Sequence, residues 1–131
     1  MYEFHGWFAL AESAEESDTG TREEGVADLQ RQVAEIDWAT GAVNLGVLNG
    51  EYFVRVDGLM NRMRDEAEDL DALLLWIAER FPGSYGLLYE RADEMPEPPG
   101  PGAFRVRRMA RGRIDIATDP FLSPVNPVIE D

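Results

Sequence analysis

The sequence has no cysteine, no lysine and only one histidine, His5, among its 131 residues. Without cysteine the chain cannot form disulfides, thiolate metal sites or a cysteine nucleophile. A single histidine also makes a histidine-based metal site or a serine triad difficult to assemble. Because a chain of this length buries roughly two-thirds of its unfolded surface, we expect one domain that needs no covalent cross-link.

Long apolar runs are also lacking. No stretch approaches the ~20 apolar residues that a membrane-spanning helix needs. The first residues, Met1–His5, have neither the basic start nor the continuous apolar core of a secretion signal. Together with the lack of cysteine, which fits a reducing compartment, these absences predict a cytoplasmic protein that does not bind membranes.

Negative charge, by contrast, is abundant. The 26 acidic residues and 12 arginines give a formal net charge of −14. Such a charge repels nucleic acid and anionic membranes and attracts basic partners. The same charge also favours solubility, and composition alone does not separate the two roles.

A helix, a chain reversal and a strand are predicted between residues 65 and 89. Apolar residues recur there at the three- and four-residue spacings of one helix face: Leu70, Leu73, Leu74, Ile77 and Phe81. Pro82-Gly83 ends this helix, because proline cannot continue it and glycine accepts the reversed backbone. The alternation from Tyr85 to Tyr89 then predicts a strand.

The first strand and a hairpin are predicted from similar patterns. Tyr2–Leu10 carries apolar residues on both faces, which predicts a central strand or one with a partner on each face. Val43–Val47 and Tyr52–Val56 alternate on either side of Asn49-Gly50, the strongest short-range hairpin signal.

The other elements complete an α+β prediction. Thr21 and Glu24 have the spacing of a capping box, so a helix should begin there and end near Ile36–Trp38. Strands are also expected over Phe104–Met109 and Arg113–Ala117. The predicted order is β-α-β-β-α-β-β(-β). It favours a single domain over residues 1–131, with a mainly antiparallel sheet of five to six strands and two helices packed on one face.

Two segments of this domain are predicted to be irregular. Asp93–Gly102 contains four prolines and two glycines, which favours a long, mobile loop. The tail over residues 119–131 has three further prolines, and we expect it to be extended across the sheet.

Two acidic groups are the candidate partner-binding residues. The first lies in a polar loop after the first strand and the second at the start of the second helix: Glu12, Glu15, Glu16, Asp18, Asp65, Glu66, Glu68 and Asp69. Carboxylates at a helix start complement the helix dipole, but so many also repel one another. The second group lacks the glycine and final glutamate of a calcium loop, so we expect no metal there. A solvated helix start and a surface for a basic partner both remain open.

The remaining chemistry-bearing residues favour structural roles. Five arginines between Arg105 and Arg113 form the one basic run, and we expect them to pair with carboxylates across the sheet rather than to bind nucleic acid. His5 could act as a general base beside Glu3 or Glu51, which leaves a small enzyme as an alternative.

The three tryptophans are candidate interface anchors that also have structural explanations. Trp7 and Trp38 are assigned to the core or its edge. Trp76 lies off the main apolar stripe of its helix, so it is either partly exposed or widens the buried face.

Three stretches together resemble a known family. They are Met1–Trp7 at the start, Phe81–Tyr89 after the second helix, and Arg111–Arg113 leading into Asp119–Pro124. The sequence resembles the immunity protein 7 family of bacterial polymorphic toxin systems, from the first residue to the last. The matching residues are strand aromatics, a helix stop and a tail, which are typical of fold determinants.

This resemblance implies a small cytoplasmic protein, encoded beside a toxin, that protects its producer by binding the toxin domain without catalysis or a cofactor. Nuclease toxins hold a polyanion and tend to have basic active surfaces, so an acidic inhibitor would be steered onto them. We therefore expect stoichiometric inhibition of a basic nuclease through the acidic residues. An acidic adaptor, or a mimic of nucleic acid, would share this charge. The sequence does not determine the oligomeric state.

Overall fold

The computed structural model describes residues 1–12 and 21–119, and of Thr21 only the backbone. The described residues form two helices and six strands in the predicted order. They are β1 (Tyr2–Ala9), α1 (Thr21–Ala34), β2 (Gly41–Leu48), β3 (Glu51–Met60), α2 (Asp65–Arg80), β4 (Tyr85–Ala92), β5 (Arg105–Ala110) and β6 (Arg113–Thr118). The α+β class and the single-domain architecture are therefore confirmed. Neither helix is long and apolar enough to cross a bilayer.

All six strands join one antiparallel sheet in the order β2-β3-β1-β4-β5-β6. β1 lies at its centre, between β3 and β4, as the apolar residues on both of its faces predict. The approach of β4 to β1 requires a glycine, because a Cβ on Gly86 would lie 2.0 Å from the carbonyl oxygen of Trp7.

Both helices pack on one face of this sheet, as predicted. The core contains alternate residues of the central strands together with the apolar faces of both helices: Tyr2, Phe4, Phe8, Val54, Leu88, Leu29, Leu70, Leu74 and Ile77. Alternate side chains of a strand point to opposite faces. The other face therefore carries the odd-numbered residues of β1, β3, β4 and β6 and the even-numbered residues of β2 and β5. We call it the open face, because no described helix covers it.

The helix boundaries agree closely with the sequence patterns. α1 begins at Thr21 but ends at Ala34, earlier than the predicted Ile36–Trp38. The amide of Ile36 donates to the Val33 carbonyl three residues back (3.1 Å), the tighter bonding that often closes the last turn of a helix. α2 ends where proline and glycine predict, and the Phe81 amide donates its last bond to Ile77.

The hairpin between β2 and β3 is confirmed. Asn49 and Gly50 both have positive φ, +51° and +80°, as a two-residue hairpin turn with both central residues left-handed requires. β3 extends to Met60, beyond the predicted Val56, because it pairs with the whole length of β1.

The proline-rich loop is irregular, as predicted, but part of it is anchored. Met95 is buried in the core, and the amide of Gly102 donates to the carbonyl of Ala92 (3.1 Å). These contacts anchor part of the loop to the core and to β4, and its mobility stays a prediction. The predicted course of the tail concerns residues 120–131, which lie outside the described residues.

Candidate functional site

Among the described residues, a concentration of negative charge lies on α2. This helix carries six acidic residues and a single basic one, Arg80. Asp65 and Glu68 are exposed and Glu66 is half-buried. In the part of the chain that the structure describes, none of these three forms an ion pair. Arg62 and Arg64 line a cavity together with Asp65 and Glu66, but no ion pair joins them. We call this start of the helix the α2 acidic surface (Asp65, Glu66, Glu68 and Asp69).

A groove between the two helices borders this surface. Its floor is formed by the apolar side chains of Ile36, Leu73 and Trp76, and carboxylates of Glu35 and Asp69 stand beside them. Trp76 is half-buried, so part of its ring remains accessible. An aromatic ring next to two carboxylates suits a basic side chain with an apolar stem. We call this feature the helix groove.

The structure brings the second group of predicted residues together and leaves the first group untested. Glu12 is half-buried and lies three residues after the end of β1. Its companions Glu15, Glu16 and Asp18 lie outside the described residues. Asp69 differs from its neighbours on α2, because its carboxylate accepts a hydrogen bond from Trp38 Nε1 (3.3 Å).

The whole chain, residues 1–131, matches the sequence model of a family described as Immunity protein 7. The chain belongs to this family. No curated protein and no solved structure matched it. Membership confirms the resemblance seen in the sequence and implies an immunity protein, whose partner is a toxin protein.

A buried ion cluster of this immunity protein accounts for much of its arginine run. Glu90 is completely buried and accepts hydrogen bonds from Tyr2 Oη (2.8 Å) and Arg105 Nε (3.0 Å). Arg107 Nη2 donates a third hydrogen bond to this carboxylate (3.3 Å). Arg107 Nε lies 2.8 Å from it in an orientation that makes only an ion contact. Arg107 also donates to Asp71, which joins the sheet to α2. The predicted pairing with carboxylates is confirmed for Arg105, Arg107 and Arg108, whereas Arg111 and Arg113 form no ion pair with the described residues.

The phenol of Tyr2 responds to this cluster. Burial raises the pKa of Tyr2, and the charge and hydrogen bond of Glu90 raise the same pKa further. Tyr2 therefore remains a proton donor to Glu90 at any physiological pH. The sequence patterns did not predict this cluster. The available signal was a glutamate at an inward position of a predicted strand, followed by arginines at inward positions of the next.

His5 lies on the open face between two carboxylates. Its Nε2 is 2.7 Å from Glu3 and its Nδ1 is 2.7 Å from Asp57. Glu3 therefore lies beside His5 as expected, and the second neighbouring carboxylate is that of Asp57 rather than Glu51. Burial by itself lowers the pKa of His5, but the hydrogen bonds to Glu3 and Asp57 raise it above its usual 6.5. Both ring nitrogens are occupied and the charged form is favoured, so the geometry suits an ion-pair centre better than a general base.

Trp7 occupies an unexpected position. Its assignment to the core or its edge is wrong, because the side chain is 44% exposed at the centre of the open face. Trp38 is buried as predicted, with its ring edge against Phe4 at a centroid distance of 5.2 Å. Trp7 is exposed because it lies on the face of β1 that no described helix covers. Trp38 packs against Phe4, which lies on the covered face of the same strand.

Proposed function

We propose that this immunity protein neutralises its toxin by stoichiometric, non-catalytic binding in the cytoplasm of the producing cell, and that the α2 acidic surface contacts a basic toxin domain of nuclease type. The observation that carries the proposal is the unpaired charge of Asp65, Glu66 and Glu68 on a helix with six acids and one arginine. Such a surface repels nucleic acid and attracts the proteins that bind it.

Binding would proceed in two stages with different physical causes. The field of the α2 acidic surface first steers the toxin and raises the association rate. The helix groove then holds the complex, with Trp76 as an aromatic anchor beside Glu35 and Asp69. The loop carboxylates Glu12, Glu15, Glu16 and Asp18 are proposed to add to the steering field.

The proposal is tested first by co-expression with the toxin domain that it expects to be encoded beside this chain, at the C-terminus of a large secreted protein. Rescue of growth, with a complex recovered in one-to-one ratio of subunits, is the expected result. An acidic adaptor or a nucleic-acid mimic needs no toxic neighbour, so a harmless neighbour would favour those alternatives. Killing that persists despite co-expression would contradict the proposal.

The surface is tested by kinetics with that toxin domain. The variant Asp65→Asn/Glu66→Gln/Glu68→Gln should associate about tenfold more slowly at low salt and show a flatter salt dependence. The control Glu51→Gln/Glu94→Gln/Glu97→Gln removes the same charge from exposed positions outside α2 and should have a smaller effect. Equal rates for the two triple variants would show that the toxin does not use α2.

A further inference from the structure

The open face presents a continuous apolar area at its centre. Trp7 is 44% and Tyr85 is 56% exposed, and the half-buried Phe53 and Leu87 lie beside them. Trp7 stands opposite Leu87 in the register of β1 and β4. On the outer strand β2, Leu48 is also exposed (51%). Contiguous apolar areas on a soluble protein commonly mark a surface that binds another protein.

The charge of this face differs sharply from that of the rest of the molecule. It carries four acidic residues and four arginines, besides His5. The face is therefore nearly neutral, although the chain has a net charge of −14. Several of its charges already pair within the face, as Arg91 does with Glu3 (2.7 Å) and Arg108 with Asp115 (3.3 Å).

We propose that the open face binds a second copy of this chain, which forms a two-fold dimer with the sheets in contact and the acidic helices turned outward. Charge favours this partner over a basic toxin domain. A toxin attracted by negative charge gains little from a neutral face, whereas two copies of this chain repel each other through their acidic helices. The open face is a large surface of the described residues through which two copies can meet without that repulsion.

Size and shape agree with a two-fold contact. Six strands about 4.8 Å apart and some eight residues long cover on the order of 600 Å². A standard interface uses about 800 Å² per partner, so this dimer belongs at the weak, reversible end of specific complexes. The surface also has relief. The surface is recessed at Gly46, where an added Cβ would meet nothing within 4 Å. The side chain of Phe53 lies beside this recess. In a two-fold contact, projecting side chains such as Leu48 can enter the hollows of the other copy.

The proposal is independent of the function proposed above and compatible with it. Dimerisation through the open face leaves α2 and the helix groove accessible on both copies. A dimer would therefore bind two toxin domains, one on each outer side.

The experiment measures the mass of the full chain by sedimentation at protein concentrations from about 1 μM to about 500 μM, the range in which weak interfaces dissociate. We expect a shift from monomer to dimer with rising concentration. Added salt should strengthen this association, because it screens the repulsion between two acidic molecules. Salt should weaken binding to a basic toxin, so the two interactions respond in opposite directions.

Three variants locate the contact. Trp7→Glu and Leu48→Glu place a charge on the open face and should raise the dimer dissociation constant at least tenfold. The matched control Leu75→Glu alters a leucine of similar exposure (55%) on α2 and should leave the constant unchanged. Circular dichroism checks that each variant folds. If Trp7→Glu does not fold, Leu48→Glu on the outer strand is used alone to test the contact.

Several outcomes would overturn the proposal. One is a monomer at every concentration and salt. Another is a dimer that resists both open-face variants. A chain shortened after Asp119 that dimerises when the full chain does not would show that residues 120–131 cover the face. Loss of toxin binding in Trp7→Glu, with a monomeric parent protein, would assign the face to the toxin.

Discussion

At the scale of single residues, the most demanding site is the buried carboxylate of Glu90. Glu90 lies on β4 and contacts Tyr2 on β1 and Arg105 and Arg107 on β5, so its partners come from other strands. An ion taken out of water loses its hydration, and only close partners offset that loss. Removing the charge of one member leaves the remaining charges buried without their full set of partners. The resulting loss in the free energy of unfolding exceeds the net stabilisation that the intact cluster provides.

The variant Glu90→Gln should therefore be strongly destabilising. The amide has nearly the same shape and can still accept a hydrogen bond from Tyr2, but Arg105 loses its negative partner and Arg107 keeps only the exposed Asp71. We expect the free energy of unfolding to fall by about 3 kcal/mol, measured by urea unfolding with tryptophan fluorescence.

An exposed pair of the same sheet provides the control. Asp115 pairs with Arg108 at 3.3 Å, but about half of each side chain is open to water. Asp115→Asn should change the free energy of unfolding by less than about 0.5 kcal/mol. Equal losses in Glu90→Gln and Asp115→Asn would show that burial of the cluster does not control its energetics.

At the scale of elements, the β2–β3 hairpin shows how a turn sets the register of a sheet. Asn49 and Gly50 have the positive φ values that a tight turn needs, and the register from Gly41 to Leu48 follows from that turn. Arg22 at the start of α1 donates to the Gly50 carbonyl (2.9 Å), which ties the turn to the helix layer. The hairpin therefore positions β3 for its pairing with β1.

Replacing either of two glycines of this hairpin with alanine should change the stability of the protein to different extents. Gly50→Ala forces a Cβ into a left-handed backbone (φ +80°) and should destabilise the protein by about 1 kcal/mol. Gly46 lies within strand β2 without positive φ and with free space around it, so Gly46→Ala should be neutral or slightly stabilising. Thermal unfolding of both variants tests this. A larger loss in Gly46→Ala would mean that backbone conformation at the turn is not the deciding factor.

At the scale of the whole molecule, charge is divided between two layers. The helix layer contains α2, with six acids and one arginine, while the open face is nearly neutral. This division favours two different partners for the two faces, a basic protein for the helices and a second copy for the sheet. It also means that repulsion among carboxylates opposes folding mainly on one side of the molecule.

Salt should consequently stabilise the folded protein. Raising NaCl from about 0.02 M to about 0.3 M shortens the screening length from roughly 20 Å to 6 Å and weakens repulsion among the acids. We expect the midpoint of thermal unfolding to rise, at a protein concentration low enough to keep the monomer. The increase should be smaller in Asp65→Asn/Glu66→Gln/Glu68→Gln. A midpoint that falls with salt would show that attractive ion pairs dominate instead.

Part of the candidate site was visible in the sequence. The acidic start of α2 is a local pattern, and Asp65, Glu66 and Glu68 lie on that helix as predicted. The helix groove was not predicted, because it needs Glu35, just after α1, and Trp76 on α2 to line one cavity although they are distant in the chain. Its only sequence signal was a tryptophan off the apolar stripe of its helix.

The sequence by itself determined the elements, their order and the family. Some features depend on residues only a few positions apart and can be read from the sequence alone. They are the helix periodicity, the turn at Asn49-Gly50 and the helix end at Pro82-Gly83. Tertiary structure alone decided which sheet face the helices cover. Alternation along a strand shows that its two faces differ, but the covering element lies elsewhere in the chain. That choice exposed Trp7 and enclosed Glu90, although both occupy ordinary strand positions.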